Sequence, residues 1–209
     1  MEKVKKVLNH VFIDGLSGMA LGLFATLIIG TIIQQIGNLI GGTVGDTLYL
    51  FGKAASVMTS AGIGIGVAYK FKEPVYVTLS AATAGMVGGY ASKILAGTLI
   101  GEGGVVVLAG PGEPLGAFIA AIVGIELGHL VAGKTKIDLL VTPFVTIVSG
   151  SAVGLLVGPP ITRFMTGLGA IINWGTEQQP FLMGIVVSVL MGMILTLPIS
   201  SAALGIILN

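Results

Sequence analysis

The chain has 209 residues, of which 54% are hydrophobic and 9% charged, against roughly 25% charged in a soluble domain, and that imbalance points to a membrane protein. Its 34 glycines follow no G-X-Y period and sit among aliphatic residues, which excludes collagen and disordered linkers and implies closely packed spanning helices. A net charge of +1 gives no sign of nucleic acid as a partner, and the absence of cysteine removes disulfides, thiolate nucleophiles and thiolate metal ligands.

A spanning helix needs about 20 mostly apolar residues, and six stretches are predicted. They are residues 15–33, 48–69, 75–92, 114–133, 139–158 and 181–197. The start "MEKVKKVLNH" has no small-residue cleavage site ahead of the first stretch, so an uncleaved first span is expected. Cytoplasmic loops are enriched in Lys and Arg. With the N-terminus cytoplasmic, Lys3, Lys5, Lys6, Lys70, Lys72, Lys134 and Lys136 fall inside, whereas Lys93 and Arg163 fall outside. Lys53 then lies within the second span and is expected to be buried or to line a wet cavity.

Two connectors stand out. Residues 93–113, "KILAGTLIGEGGVVVLAGPGE", are too apolar for an external loop and too rich in Gly and Pro for a helix, which suits a re-entrant segment. Glu102 falls within it, at a re-entrant tip or in a solvated turn. Residues 158–180 open with "GPP", a double proline expected to stop the fifth span; the remainder suits a short interfacial helix with Trp174 at headgroup depth. The chain ends at Asn209 without a polar tail, and the expectation is of a C-terminally incomplete bundle.

Ionisable residues are scarce enough to be informative. In "PLGAFIAAIVGIELGHLVAG", Gly116, Ala120, Gly124 and Gly128 recur every fourth position and predict a close helix–helix contact. Ile119, Ile122, Glu126 and His129 fall on roughly the opposite face, with Glu126 and His129 adjacent at i, i+3. Counting about 1.5 Å per residue from Lys134 puts Glu126 about 12 Å deep, where a carboxylate costs at least about 2.5 kcal/mol and marks a pathway unless it merely fastens two helices. The pair would serve on a substrate pathway, as a proton relay or as a structural tie. Glu113, in "GPGEPLG", reads as a helix cap or as an acid at the mouth of a site made by interrupted helices. Asp14 and Asp46 read as interfacial or capping residues. "GIGIG" (62–66) lacks nucleotide-loop spacing and reads as a packing face, while "GMVGG" (85–89) reads as packing or as a helix break beside a ligand. A single E-x-x-H does not suffice for a di-iron site; no metal, cofactor or catalytic nucleophile is expected.

Taken in order, "AGIGIGVAYKFKEP", "GMVGGYAS", "GEPLGAFIAAIVGIELGHLV", "TPFVTIVSGSAVGLLVGPPITRFMTGLGAIIN" and "LMGIVVSVLMGMILTLPISSAAL" resemble the membrane component, EIIC, of the bacterial phosphoenolpyruvate-dependent sugar phosphotransferase system. The resemblance is to the fructose-like branch, nearest the EIIC-like subgroup named as toxin (perfringolysin) regulators, whose name implies regulation without giving a mechanism. It implies an all-α polytopic fold of about six transmembrane helices plus re-entrant or interfacial segments, with residues 1–209 a single EIIC-like transmembrane domain within a larger bundle. It further implies a homodimeric carrier in the bacterial inner membrane that binds a sugar and presents it to a phosphorylated EIIB partner. Glu126, His129 and Glu113 are the candidate sugar contacts. The family's later acidic "I-T-E" type segment has no counterpart before Asn209, and Glu113 stands too early to take its role. Rival expectations are a sensor that kept the fold without transport, and a proton- or ion-coupled transporter using Glu126 and His129.

Overall fold

The computed structural model describes residues 9–101 and 104–176, together with Gly184, Ile185, Ser188, Val189 and Gly192. The described residues are helical apart from connecting segments and one isolated antiparallel bridge, Ile100 with Val106. Helix α1 runs His10–Ile40, with widened turns over His10–Gly15 and Phe24–Ile28. Gly41 and Gly42, at φ 65° and 62°, make a left-handed turn that only glycine adopts cheaply and reverse the chain into α2 (Gly42–Val57). A 53° bend at Met58 leads into α3 (Thr59–Lys70), and a tight turn containing Lys72 leads into α4 (Val75–Gly89). The short α5 (Ala91–Leu95) follows, then the bridged loop, then α6 (Pro114–Val131) and α7 (Asp138–Thr176).

Packing centres on α3, α4 and α6, with α1 laid against α3 and α7 against both α4 and α6. The core joins Leu23 and Leu27 of α1 to Ile63 and Val67 of α3, Val77 and Ala81 of α4, and Phe118 and Ile125 of α6. Glycine permits this closeness. A Cβ placed on Gly116 would stand 2.7 Å from the Gly88 carbonyl oxygen, and one on Gly124 would stand 2.7 Å from that of Thr146. The period-four stripe of α6 is therefore its contact with α4 and α7, as its spacing predicts. "GIGIG" packs likewise, Gly62 and Gly66 against Gly22 and Gly18 of α1 and Gly64 against Ala81 of α4.

Several expectations change. Among the described residues, three helices are long and apolar enough to cross a membrane, or four if the bent α2–α3 pair is one span. Helix α4 is apolar but has only 15 residues; most of the stretch at 181–197 lies outside the described residues, as does Glu102. The "GPP" motif does not stop the fifth span. Helix α7 continues through Pro143, Pro159 and Pro160 to Thr176, and Trp174 sits on this same helix with 58% of its surface exposed. Neighbouring helices can compensate the donors that proline removes, and here Gly154 and Gly158 hold the same stretch against Gly88 and Ala91. Lys53 is exposed on α2 rather than buried. The apolar connector divides in two: Ile100, Val105 and Val106 are exposed, whereas Gly110–Gly112 is half-buried against the ends of α3 and α4.

Candidate functional site

Helix α4 stops at Gly89, α3 begins at Thr59, and α6 begins after Glu113; these three ends meet. The meeting is held by hydrogen bonds. The Glu113 backbone N–H donates to the Gly89 carbonyl at 2.7 Å, Ser60 Oγ donates to the Pro111 carbonyl at 2.8 Å, and the Tyr90 hydroxyl donates to the Gly110 carbonyl. Two positive-φ glycines, Gly110 and Gly112, let the loop turn into this crevice. The Glu113 carboxylate caps α6, accepting from Leu115 N–H at a long 3.4 Å, with Pro114 in the first helical position as helix starts prefer. Burial pushes the Glu113 carboxyl up to about 6, with the Leu115 bond opposing.

Beside this junction lies a cavity of about 330 Å³, with Gly89, Lys93, Gly112, Glu113, Thr162 and Thr166 among its lining residues. Across it, Ser92 Oγ donates to Thr162 Oγ1 at 2.8 Å, joining the segment after α4 to α7. Lys93 Nζ donates to the Ala109 carbonyl at 2.8 Å and lies 5.5 Å from the centre of the Tyr90 ring. A carboxyl, an ammonium, hydroxyls and backbone carbonyls thus converge on one hollow in an apolar bundle. Such a set suits a polyhydroxylated ligand, because each ligand hydroxyl both donates and accepts.

The other two candidates lie elsewhere. Glu126 is 13 residues along the same helix from Glu113, about 20 Å by helical rise, so no single sugar touches both. Nor do Glu126 and His129 pair with each other. Glu126 Oε1 meets His10 Nε2 at 3.2 Å, and that imidazole stacks on Phe71 with centroids 3.8 Å apart and faces Asp14 at 3.8 Å. His129 Nδ1 meets Glu73 Oε2 at 2.9 Å. The two ties fasten α1 to α6 and α6 to the α3–α4 turn, at the bundle end that carries Lys70 and Lys72. Glu126 therefore lies level with that basic turn, with 52% of its side chain exposed. His10 was not singled out from sequence; it follows the lysine-rich start and precedes the first predicted span, and its partners are remote in the chain.

Comparison with known proteins adds the decisive observation: the family described as "Phosphotransferase system, EIIC" matches residues 13–209. The chain belongs to that family. No curated protein and no solved structure matches it. Within an EIIC chain the apolar helices make a membrane protein and a component of a sugar phosphotransferase system. The described residues contain no group of three or more His, Cys, Asp or Glu able to hold a metal ion.

Proposed function

We propose that this EIIC protein binds a sugar in the cavity bounded by Gly89, Glu113 and Thr162, and passes it toward a phosphorylated EIIB partner at the basic end of the bundle. The observation carrying this reading is the coincidence of family and cavity: an EIIC chain with a hollow of about 330 Å³, bearing a few convergent polar groups, where an interrupted helix, a glycine-rich loop and a helix cap meet. That volume lies within the usual range of about 300–1,000 Å³ for small-molecule sites, and interrupted helices commonly make such sites in membrane carriers. Glu113 is assigned to ligand hydroxyls, which a carboxylate accepts as charge-assisted bonds. Glu126 and His129 are assigned instead to holding the basic end together.

Phosphoryl transfer would run from EIIB to a sugar hydroxyl, whose proton is released, while this chain supplies binding and position. The reading includes a cytoplasmic N-terminus in the bacterial inner membrane, a homodimer, a single EIIC-like domain over residues 1–209, and placement in the fructose-like branch near the toxin-regulator subgroup. Lys70, Lys72, Lys134 and Lys136 support the orientation, since they all lie at or just beyond the ends of α3 and α6. Thermal-shift and calorimetric titration of the full-length protein against a sugar panel tests it: saturable binding that Glu113→Gln weakens at least about tenfold is expected, from loss of one charge-assisted hydrogen bond. Saturable binding indifferent to Glu113→Gln would remove the cavity assignment.

A further inference from the structure

The 330 Å³ cavity is not isolated. A second hollow of about 720 Å³, lined by Leu95, Pro159, Arg163 and Gly167, shares Ser92, Thr162 and Thr166 with the first. The Ser92–Thr162 hydrogen bond is thus their common wall. Among the described residues, the charged ones lining the two are Lys93 and Glu113 in the first and Arg163 in the second, two cations to one acid. Lys93 spends its ammonium on a neutral carbonyl and an aromatic face. Among the described residues no carboxylate lies within 4.0 Å of Lys93 or Arg163; the ion pairs present all involve histidine.

Lys93 and Arg163 are both exposed at these hollows, so among the described residues a ligand there meets two cations and one carboxyl, a balance that an anionic ligand complements and a neutral sugar does not. We infer that the ligand of this paired cavity is an acidic sugar, its hydroxyls at Glu113 and its carboxylate between Lys93 of the same hollow and Arg163 beyond the Ser92–Thr162 wall. This names the substrate class of the site and rests on the sugar-binding reading above. Arginine suits the role because its planar fork meets a carboxylate in two parallel bonds.

The test uses the full-length protein in phosphatidylcholine nanodiscs, so that no anionic lipid supplies the charge. Matched pairs are titrated calorimetrically: glucose with glucuronate, galactose with galacturonate, mannitol with mannonate, and acetate as a bare anion. At least one acid is expected to bind about tenfold or more tighter than its neutral partner. Lys93→Gln and Arg163→Gln should each erase most of that preference, and Lys93→Arg should keep it, which separates lost charge from lost folding. Equal or tighter binding of the neutral sugars overturns the inference while leaving sugar binding intact. A preference that survives both glutamine variants, or acetate binding as tightly as the acids, overturns it too. Failure of every sugar, neutral and acidic, takes down both this inference and the reading on which it rests.

Discussion

Replacing Gly116 by alanine tests the packing that shapes the cavity. The new Cβ would stand 2.7 Å from the Gly88 carbonyl oxygen, 3.5 Å from its carbon and 3.6 Å from Glu113 Cγ. A carbon and an oxygen do not approach within 3.0 Å, so α6 would have to move at least 0.3 Å away from α4. The obstacle is backbone, which has no rotamer to escape into, and such overpacking costs about 1–3 kcal/mol. Alanine recovers up to about 1 kcal/mol of helix propensity, leaving a net loss of about 0–2 kcal/mol, or several degrees of melting temperature. Gly167→Ala is the control, because its Cβ meets nothing within 4 Å and should be neutral or slightly stabilising. Melting of both variants in one detergent, followed by sugar titration, separates the outcomes. Gly116→Ala should melt below Gly167→Ala and bind sugar more weakly, since the Glu113 N–H to Gly89 carbonyl bond of 2.7 Å spans the same contact. A Gly116→Ala protein as stable as the control, with unchanged binding, would refute the close approach of α4 and α6.

Three further outcomes follow from the same geometry. His129→Ala should destabilise by about 1–3 kcal/mol, because it strands Glu73, only 7% exposed, whereas His10→Ala should cost under about 1 kcal/mol, because Glu126 stays half in solvent; parallel melts check the order. Glu113 has a carboxyl pushed up by burial to about 6 from 4.5, so its protonated form favours the folded state: that contribution is complete below about pH 4.5 and is lost as pH rises through 6. A fall of about 1–2 kcal/mol in wild-type stability between about pH 5 and 7.5, absent in Glu113→Gln, is expected in pH-dependent melts. Ser92→Ala and Thr162→Val should each destabilise modestly and show about 1 kcal/mol of coupling in a double-mutant cycle, reflecting their 2.8 Å bond.

Much of the fold was legible where the signal is local. The period-four glycines of α6 and the alternating glycines of "GIGIG" announce close contacts, because only a missing Cβ lets backbones approach so nearly. Glu113 was legible as a cap because Pro and an acid at a helix start have a local mechanism. Signals that depend on the rest of the chain were misread. Adjacency at i, i+3 suggested that Glu126 and His129 answer each other, yet their partners are 116 and 56 residues away. Pro159 and Pro160 suggested a stop, yet α4 and α5 brace α7 through that stretch. In the sequence Lys93 and Arg163 mark only topology, since nothing local reveals that Ser92 and Thr162 bring them to adjoining hollows.

The most direct measurement is uptake by membrane vesicles carrying the full-length protein, supplied with a phosphorylated EIIB partner and a labelled sugar that the titrations identify. Sugar should accumulate as its phosphate only when EIIB is present, and Glu113→Gln, verified as folded by its melt, should lower the rate at low sugar concentration at least about tenfold. Accumulation that ignores EIIB, or a Glu113→Gln protein that transports like the wild type, would contradict sugar binding at the Gly89–Glu113–Thr162 cavity of an EIIB-coupled carrier.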